Sequence, residues 1–520
     1  MVEHKVLITT SGTGSRLGHL TKFTNKSLVR VGDKPVISYI IENYSKDTNF
    51  VITLGHYGYQ VKDFLELTYP NRNFEFVEVE NYDKEGSSLL ASMKCAKDFL
   101  QCPFIFQVCD AIICDNIPKL DHDWVTGVEL EYSDQYRTLN VSSKNDLICI
   151  NEKGAKSYDL VCPGLVGIYN YKVYWDVLEN ILKNTDIKEQ KQLSDCHVIQ
   201  EMINLVNIKV HKIKEWYDTG VHQKLTIARK KFGASFDVLD KSKENIYKIE
   251  NNIIKFFYDK DLNAKRVKRE KVLKGLVPVI IGSRENFFKY QYVQGDIFSK
   301  SVNPPLMKTF LEWANKNLWI KDENIDITND CKNFYKEKTI KRVDMFLDGK
   351  PDSKCFINGA LVPPVKSLLE KVSDKILLNA CPSKIHGDLI LDNIIEKDKK
   401  FTLIDWRQDF AGNLNIGDLY YDLAKLNHNL IFNHDIVNNR LYTIERNEKG
   451  IECDILVKKN LLDCKTVLED FIIENGYSIE KVKLLTSIIW INMAPLHDYP
   501  LNMFLFNFGK YNLFNHLNKV

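Results

Sequence analysis

Four short, largely apolar runs, Lys5 to Thr10, Phe50 to Leu54, Phe74 to Val79 and Phe104 to Cys109, alternate with stretches of helical periodicity such as Tyr59 to Leu67 and Ser88 to Leu100. Apolar runs this short, with helices between them, mark strands covered on both faces by crossover helices. The N-terminal part is therefore expected to be an α/β domain, Rossmann-like, around a mixed but largely parallel sheet. Its first strand runs into Ser11-Gly12-Thr13-Gly14-Ser15-Arg16-Leu17 and then a helical pattern around Lys34 to Lys46, a strand, loop, helix opening.

At 520 residues the chain exceeds what one core usually serves, so more than one domain is expected. The pattern weakens over the polar stretch 232–245, which places a boundary near Gly233 and gives domains 1–233 and 234–520. Beyond it come strand-like runs at Ile246 to Ile249 and Ile253 to Tyr258, a charged helical segment from Asn263 to Leu276, and a strand at Phe287 to Val293. The periodicity then turns mainly helical, which predicts a small sheet-containing lobe over 240–298 and a helical lobe over 299–520.

Charge narrows the functions. Lys plus Arg number 71 against 69 Asp plus Glu, so no bulk positive field awaits a nucleic acid or an anionic membrane, and a small-molecule substrate is expected instead. No apolar run approaches the roughly 20 residues of a membrane helix, and the opening residues lack a long apolar core, which predicts a cytoplasmic protein. Twelve cysteines without a Cys-x-x-Cys pair indicate neither a disulfide frame nor a zinc site.

The loop Gly12, Thr13, Gly14, Ser15 can present backbone N–H groups to phosphates, and Arg16 and Lys26 add the charge a triphosphate needs. The spacing of Gly12, Gly14 and Gly18 misses the dinucleotide pattern and no P-loop ending follows, which disfavours the alternative of an NAD-dependent enzyme. Asp110 stands at a strand end, where ligands sit in open α/β sheets, and a second acid, Asp218, lies in Trp216-Tyr217-Asp218-Thr219-Gly220. Two such carboxylates can share a magnesium ion.

On these residues, positions 5 to about 230 resemble the sugar-phosphate and phosphocholine nucleotidyltransferase family. The resemblance implies that Arg16 and Lys26 bind the triphosphate, that Asp110 and Asp218 hold the metal, and that Glu85-Gly86-Ser87-Ser88 is a nucleotide-contacting helix start. Sugar-type members usually have Pro-Lys where this chain has Asn25-Lys26, closer to the cytidylyltransferase branch, which tilts the nucleotide toward CTP. Pro163 to Tyr169 corresponds either to a strand lining the acceptor pocket or to a buried strand with a turn.

The second half carries His386-Gly387-Asp388-Leu389-Ile390-Leu391-Asp392-Asn393 and then Ile404-Asp405-Trp406. A kinase loop needs an Asp to take the proton of the attacking hydroxyl, an Asn shortly after it for magnesium, and a further Asp on the next strand for the same metal. Asp388, Asn393 and Asp405 meet that order. With His-Gly-Asp and Ile-Asp-Trp, this half resembles the aminoglycoside phosphotransferase and choline kinase family, which implies a bilobal, protein-kinase-like α+β domain acting on a small alcohol. Lys255 resembles the family's phosphate-contacting lysine and Glu270 is a candidate for its ion-pair partner, each also readable as a solvated charge; the glycine-rich loop over the phosphates is missing. An aromatic cage from Trp406 and Trp490 would suit choline, whereas Arg407, Asp409, His497 and Asp498 would suit a hydroxyl-rich acceptor.

Together the halves read as consecutive steps: ATP phosphorylates an alcohol, and CTP then yields a CDP-alcohol and pyrophosphate, an activated head group of the kind the resemblance links to bacterial surface polysaccharides. The alternative is that only one half is catalytic and the other is a nucleotide-binding regulatory or scaffolding module.

Overall fold

A computed structural model describes residues 4–130, 134–235 and 242–518; part of the expected linker, 232–245, lies outside the described residues. The chain forms two compact units, one of residues 1–260 with 281–290, the other of 261–280 with 291–520.

The first unit is built on a seven-stranded sheet in the order Ile208–Lys212, Asp123–Gly127, Leu165–Ile168, Phe104–Val108, Lys5–Thr9, Asn49–Leu54, Asn73–Glu78. Neighbours run parallel except Leu165–Ile168, which is antiparallel to both of its partners. Side-chain alternation splits each strand between two cores. Val6, Ile8, Phe50, Ile52 and Ile105 face a layer that includes the helix Gly58–Thr68, while Leu7, Val51, Phe104 and Phe106 face one that includes the helices Leu89–Cys95 and Tyr171–Asn184. Thr9 pairs with Val108, so the glycine loop and Asp110 leave the sheet side by side.

The two units divide elsewhere than near Gly233. The hairpin Glu244–Ile249 and Asn252–Phe257 belongs to the first unit, where the Tyr247 hydroxyl donates to the Leu28 carbonyl at 2.7 Å and the Tyr247 and Phe287 rings pack on Phe64 at 5.5 and 5.9 Å. The hairpin belongs to a four-stranded sheet in which Phe287–Gln291 neighbours Asn252–Phe257, and its apolar face needs a covering layer, part of which Phe64 of the helix Gly58–Thr68 supplies.

The second unit is mainly helical, with helices at Pro304–Asn317, Lys338–Leu347, Leu419–Ile431, Lys459–Glu474, Ile479–Met493 and Leu501–Leu517. The segment Leu419 to Leu430 is buried at every position, so its polar residues must find partners inside the protein. A four-stranded sheet of Ala360–Val362, Cys355–Ile357, Gly450–Ile455 and Tyr442–Asn447 interrupts the helical pattern. The sequence pattern did not reveal it because two of the strands are only three residues long and the other two are rich in polar residues. The cysteines are free thiols. Among the described residues no helix is long and apolar enough to cross a membrane, and no group of three His, Cys, Asp or Glu side chains could hold a metal ion.

Tyr247→Phe removes the donor to a buried carbonyl without creating a cavity. It should cost about 1–2 kcal/mol in a urea unfolding titration of the first unit, and an unchanged midpoint would contradict this anchoring of the hairpin.

Candidate functional site

In the first unit the sheet edge gathers four of the expected side chains. Lys26 Nζ lies 3.2 Å from Asp110 Oδ2, and an Arg16 guanidinium nitrogen lies 3.8 Å from the same oxygen. The strand Trp216–Asp218 pairs antiparallel with Ala111–Ile113, which sets Asp218 opposite Ala111 and beside Asp110. The Thr219 amide and hydroxyl both bond the Asp110 carbonyl, at 2.8 and 2.9 Å. A Cβ placed on Gly220 would stand 3.0 Å from Asp110 Oδ2, 3.1 Å from Arg16 and 3.2 Å from Asp218 Oδ1. Two carboxylates and a guanidinium thus border one space, which a side chain at Gly220 would crowd. This donor set fits magnesium, a hard cation held by one or two carboxylates with phosphate oxygens and water completing its shell.

Burial works against charge on Lys26, yet Asp110 beside it holds the ammonium well above the usual lysine range. Burial likewise opposes ionisation of Asp110, but Lys26 and then Arg16 hold its carboxyl below the usual range. Both groups are charged at neutral pH. Tyr136, which no sequence pattern signalled, donates its hydroxyl to Asp218 Oδ2 at 2.7 Å. Burial and that carboxylate push its phenol up, so it stays a donor.

The glycine loop is shaped by the lysine it serves. Gly14 sits at φ 66°, and a Cβ there would meet Lys26 Cβ at 2.9 Å and Thr21 at 3.0 Å. Asn25, fully buried, donates to the Thr10 and His56 carbonyls at 2.8 and 2.6 Å and accepts from the Ser27 amide and hydroxyl. It braces the segment leading to Lys26, a structural role distinct from the nucleotide preference read into it. Gly12 packs near Lys26 Cε, while Thr13, Ser15 and Arg16 are exposed around the mouth. Glu85, Gly86 and Ser87 form a separate turn: Glu85 is exposed, Gly86 lies against Ile187, and Ser88 caps the helix Leu89–Cys95. That helix reaches the base of the loop through a 2.9 Å contact between the Ser92 and Ser11 hydroxyls. Leu165–Ile168 is a buried strand of the central sheet.

In the second unit the segment from His386 to Asn393 is held from several directions. Asp422 accepts the His386 and Gly387 amides at 2.8 and 2.7 Å and the Trp319 ring N–H at 3.2 Å. Asn429, two turns along the same helix, accepts the Leu391 amide at 3.0 Å. Lys425, between them, lies 2.8 Å from Asp388 Oδ1. Arg269, almost wholly buried, donates to the carbonyls of Ile385, His386, Arg407 and Leu414. Burial lowers its pKa to about 10, leaving it charged. Gly387 has φ 82°, and a Cβ on it would meet Arg407 Cβ at 2.8 Å, which accounts for glycine at that position.

Burial pushes His386 down to about 4, so it is neutral, donating from Nε2 to the Ile404 carbonyl and accepting the Asp388 amide on Nδ1. Asn393 donates to the Asp388 carbonyl at 2.8 Å, and its own carbonyl accepts the Ile404 amide at 2.9 Å, which draws Asp405, at φ 59°, next to it. Burial opposes ionisation of Asp388, but Lys425 holds its carboxyl far below the usual range. Asp388, Asn393 and Asp405 are therefore brought to one end of the hairpin Ile394–Lys397 and Lys400–Leu403.

The other expectations divide. Lys255 is buried in the first unit, and Glu270 is half-exposed in the second, where its neighbour Arg269 takes the inward position. Trp406 and Trp490 are core residues, 1% and 2% exposed; Trp406 donates to the Arg266 carbonyl and Trp490 packs on Phe508. Neither offers an aromatic wall to a cation. Sequence reasoning missed Arg269, Asp422 and Lys425. Charges inside the apolar run Leu419 to Leu430 were the available signal for the last two.

No family model matches the chain. Among curated proteins it is 25% identical over 221 residues to the bifunctional protein GlmU of Methanococcus aeolicus, covering 41% of this chain and 51% of that one. It is 24% identical over 231 residues to the low-salt glycan biosynthesis nucleotidyltransferase Agl11 of Haloferax volcanii, covering 42% and 62%. The chain spans about half the length of the curated relatives it matches. Among solved structures it is similar to CTP:phosphocholine cytidylyltransferase from Streptococcus pneumoniae, at 18% identity and TM-score 0.39 over 44% of this chain and 99% of that one. The N-terminal part thus resembles sugar-phosphate nucleotidyltransferases.

Two pH dependences follow. Because Asp110 is held below the usual carboxylate range, its contribution to stability is present above that range and lost as pH falls through its folded value. Asp110→Asn should therefore be less stable than wild type in urea at pH 7, with the difference shrinking as the pH falls through the carboxyl's folded range; a difference constant with pH would contradict the pair. His386 behaves in the same direction for the opposite reason. The unfolded chain takes up a proton near pH 6.5 that the folded chain refuses until about 4, so stability falls across that window on acidification. The loss is of order 3 kcal/mol, and it should shrink in His386→Gln when the second unit's unfolding is followed from pH 7 to 4.

Proposed function

We propose that the chain is a bifunctional enzyme: the second unit phosphorylates a small alcohol with ATP, and the first transfers a nucleotidyl group, CMP from CTP, onto the resulting phosphate. The observation that carries the first activity is the space beside Gly220 bordered by Asp110, Asp218 and Arg16, with Lys26 on Asp110. The likeness to a nucleotidyltransferase of glycan biosynthesis supports an activated head group for a surface polysaccharide as the product.

The chemistry asks for alignment and charge neutralisation rather than a protein nucleophile. A substrate phosphate oxygen attacks the α-phosphorus of CTP, the bond to the β-phosphate breaks, and pyrophosphate leaves. Arg16 and Lys26 bind the triphosphate, and the backbone of Gly12 to Ser15 cradles it. Tyr136 fixes the orientation of Asp218. In the second unit Asp388 accepts the proton of the attacking hydroxyl, and the clamp of Arg269 and Asp422 keeps its loop in place. Asp110 with Asp218, and Asn393 with Asp405, would each hold magnesium, which when bound neutralises charge on the reacting phosphates.

The test is to incubate the protein with ATP, CTP, magnesium and a panel of alcohols, following ADP and pyrophosphate by phosphorus NMR. Asp388→Ala should lose ADP formation by about a thousandfold and keep pyrophosphate release from a supplied alcohol phosphate, with Asp110→Ala the reverse. Loss of both activities in either folded variant would contradict two independent sites, and preference for another nucleotide would replace CTP.

A further inference from the structure

Residues 332–337 form a π-helical segment that leads directly into the helix Lys338–Leu347. Such turns cost hydrogen-bond geometry and recur at functional sites. Here the turn opens onto a cavity of about 630 Å³ lined by Asn333, Glu337, Lys338, Lys341 and Arg342. Three of these five residues, Lys338, Lys341 and Arg342, are cationic, and Lys338 extends the charge to Arg407 beside the cavity. Lys338 Nζ stands 3.8 Å from the centre of the Phe334 ring and the Arg407 guanidinium 4.9 Å from the same centre, so two cations lie against one aromatic ring. Arg407 in turn packs its Cβ where Gly387 lacks one, one residue before Asp388. The cluster therefore adjoins the catalytic segment.

The charges do not balance. Lys425 is paired with Asp388 and Lys265 takes Asp409. Among the described ion pairs Lys338, Arg342 and Arg407 have no carboxylate partner. Arg342 donates to the Asn492 carbonyl and Arg407 to the Asp409 carbonyl instead. Glu337 is the one acid on the cavity wall, and it is exposed. Burial and then repulsion from Arg407, Arg342 and Lys425 push the Lys338 ammonium down, with the Asp388 carboxylate pulling the other way and not prevailing. Cations crowded in this way are costly unless an anion joins them, and guanidinium groups match carboxylate and phosphate oxygens in particular.

We propose that the alcohol phosphorylated in the second unit is itself an anion, a hydroxy compound bearing a carboxylate or a phosphate group that Lys338, Arg342 and Arg407 hold while its hydroxyl faces Asp388. This rests on the kinase reading of Asp388, and it excludes choline, for which the cavity has the wrong sign. The hydroxyl oxygen attacks the γ-phosphorus of ATP, the bond to ADP breaks, and the hydroxyl proton passes to Asp388. The product is a phosphomonoester that keeps its original anionic group.

Glycerate and glycerol 3-phosphate supply the two anionic arms, glycerol and ribitol the neutral arm, and choline the cationic one. Calorimetric titration of the full chain without ATP reads binding, and phosphorus NMR with ATP and magnesium reads turnover. The expected result is saturable binding of one anionic arm and its phosphorylation in preference to the others. Lys338→Met should weaken that binding and raise KM by about tenfold, the order of one lost charge-assisted contact, with kcat little changed and Lys338→Arg restoring both. Which anionic arm responds separates carboxylate from phosphate. Preferential phosphorylation of glycerol, ribitol or choline, with KM indifferent to Lys338→Met, would overturn the inference while leaving the kinase reading intact. A KM effect confined to ATP would overturn it as well, because the cations would then serve the nucleotide. Anion binding lost in Lys338→Met, with no ADP formed from any alcohol, would sink the kinase reading and keep the anion site.

Discussion

The ion pair between Lys26 and Asp110 is the contact on which the first unit's site depends. It can form because Lys5–Thr9 and Phe104–Val108 are parallel neighbours in register, so the chain segments that follow Thr9 and Val108 emerge at one edge. It fixes the neighbours in turn. Gly14 must lack a side chain to let Lys26 pass, Asn25 must hold the segment before it, and Gly220 must leave open the space that Asp110 and Asp218 border. A half-buried charge pair of this kind adds little net stability once desolvation is counted. Its value lies in keeping a carboxylate ionised and aimed where a phosphate chain would need both metal and cation.

The second unit solves a similar problem with buried charges behind the loop rather than in it. Asp422 and Arg269 satisfy backbone amides and carbonyls of the segment around Asp388, and Lys425 sets that residue's charge. Each is an expensive group to bury alone, and each has a polar partner on the loop, so the network defines one loop geometry. Lys425 and Asp422 stand one turn apart on the helix Leu419–Ile431, which is why a single buried helix can both hold the loop and tune its acid.

Much of this was legible in the sequence where the signal was local. The apolar runs ended within one residue of the observed strands, and Asp110 stood just past the end of Phe104–Val108. Asn393 and Asp405 met across a hairpin because only a short turn separates them. What sequence reasoning missed involves contacts between distant parts of the chain. Tyr136 reaches Asp218 across 82 residues and Arg269 reaches His386 across 117. Arg269 holds the loop around Asp388 through four carbonyls, a role that no local charge pattern signals. The boundary shifted because the hairpin at Glu244–Ile249 found its apolar partner in the first unit's core, a preference no linker composition reveals.

The central claim, that the two units carry out consecutive steps on one molecule, is tested most directly by double labelling. ATP labelled in its γ-phosphate and CTP labelled in its α-phosphate are supplied with the panel of alcohols, and the products are separated. The account predicts a product carrying both labels in equal amount, since the phosphate from ATP becomes the one to which CMP is joined. An ATP-derived label that stays in a monoester and never enters a nucleotide-linked product would contradict it.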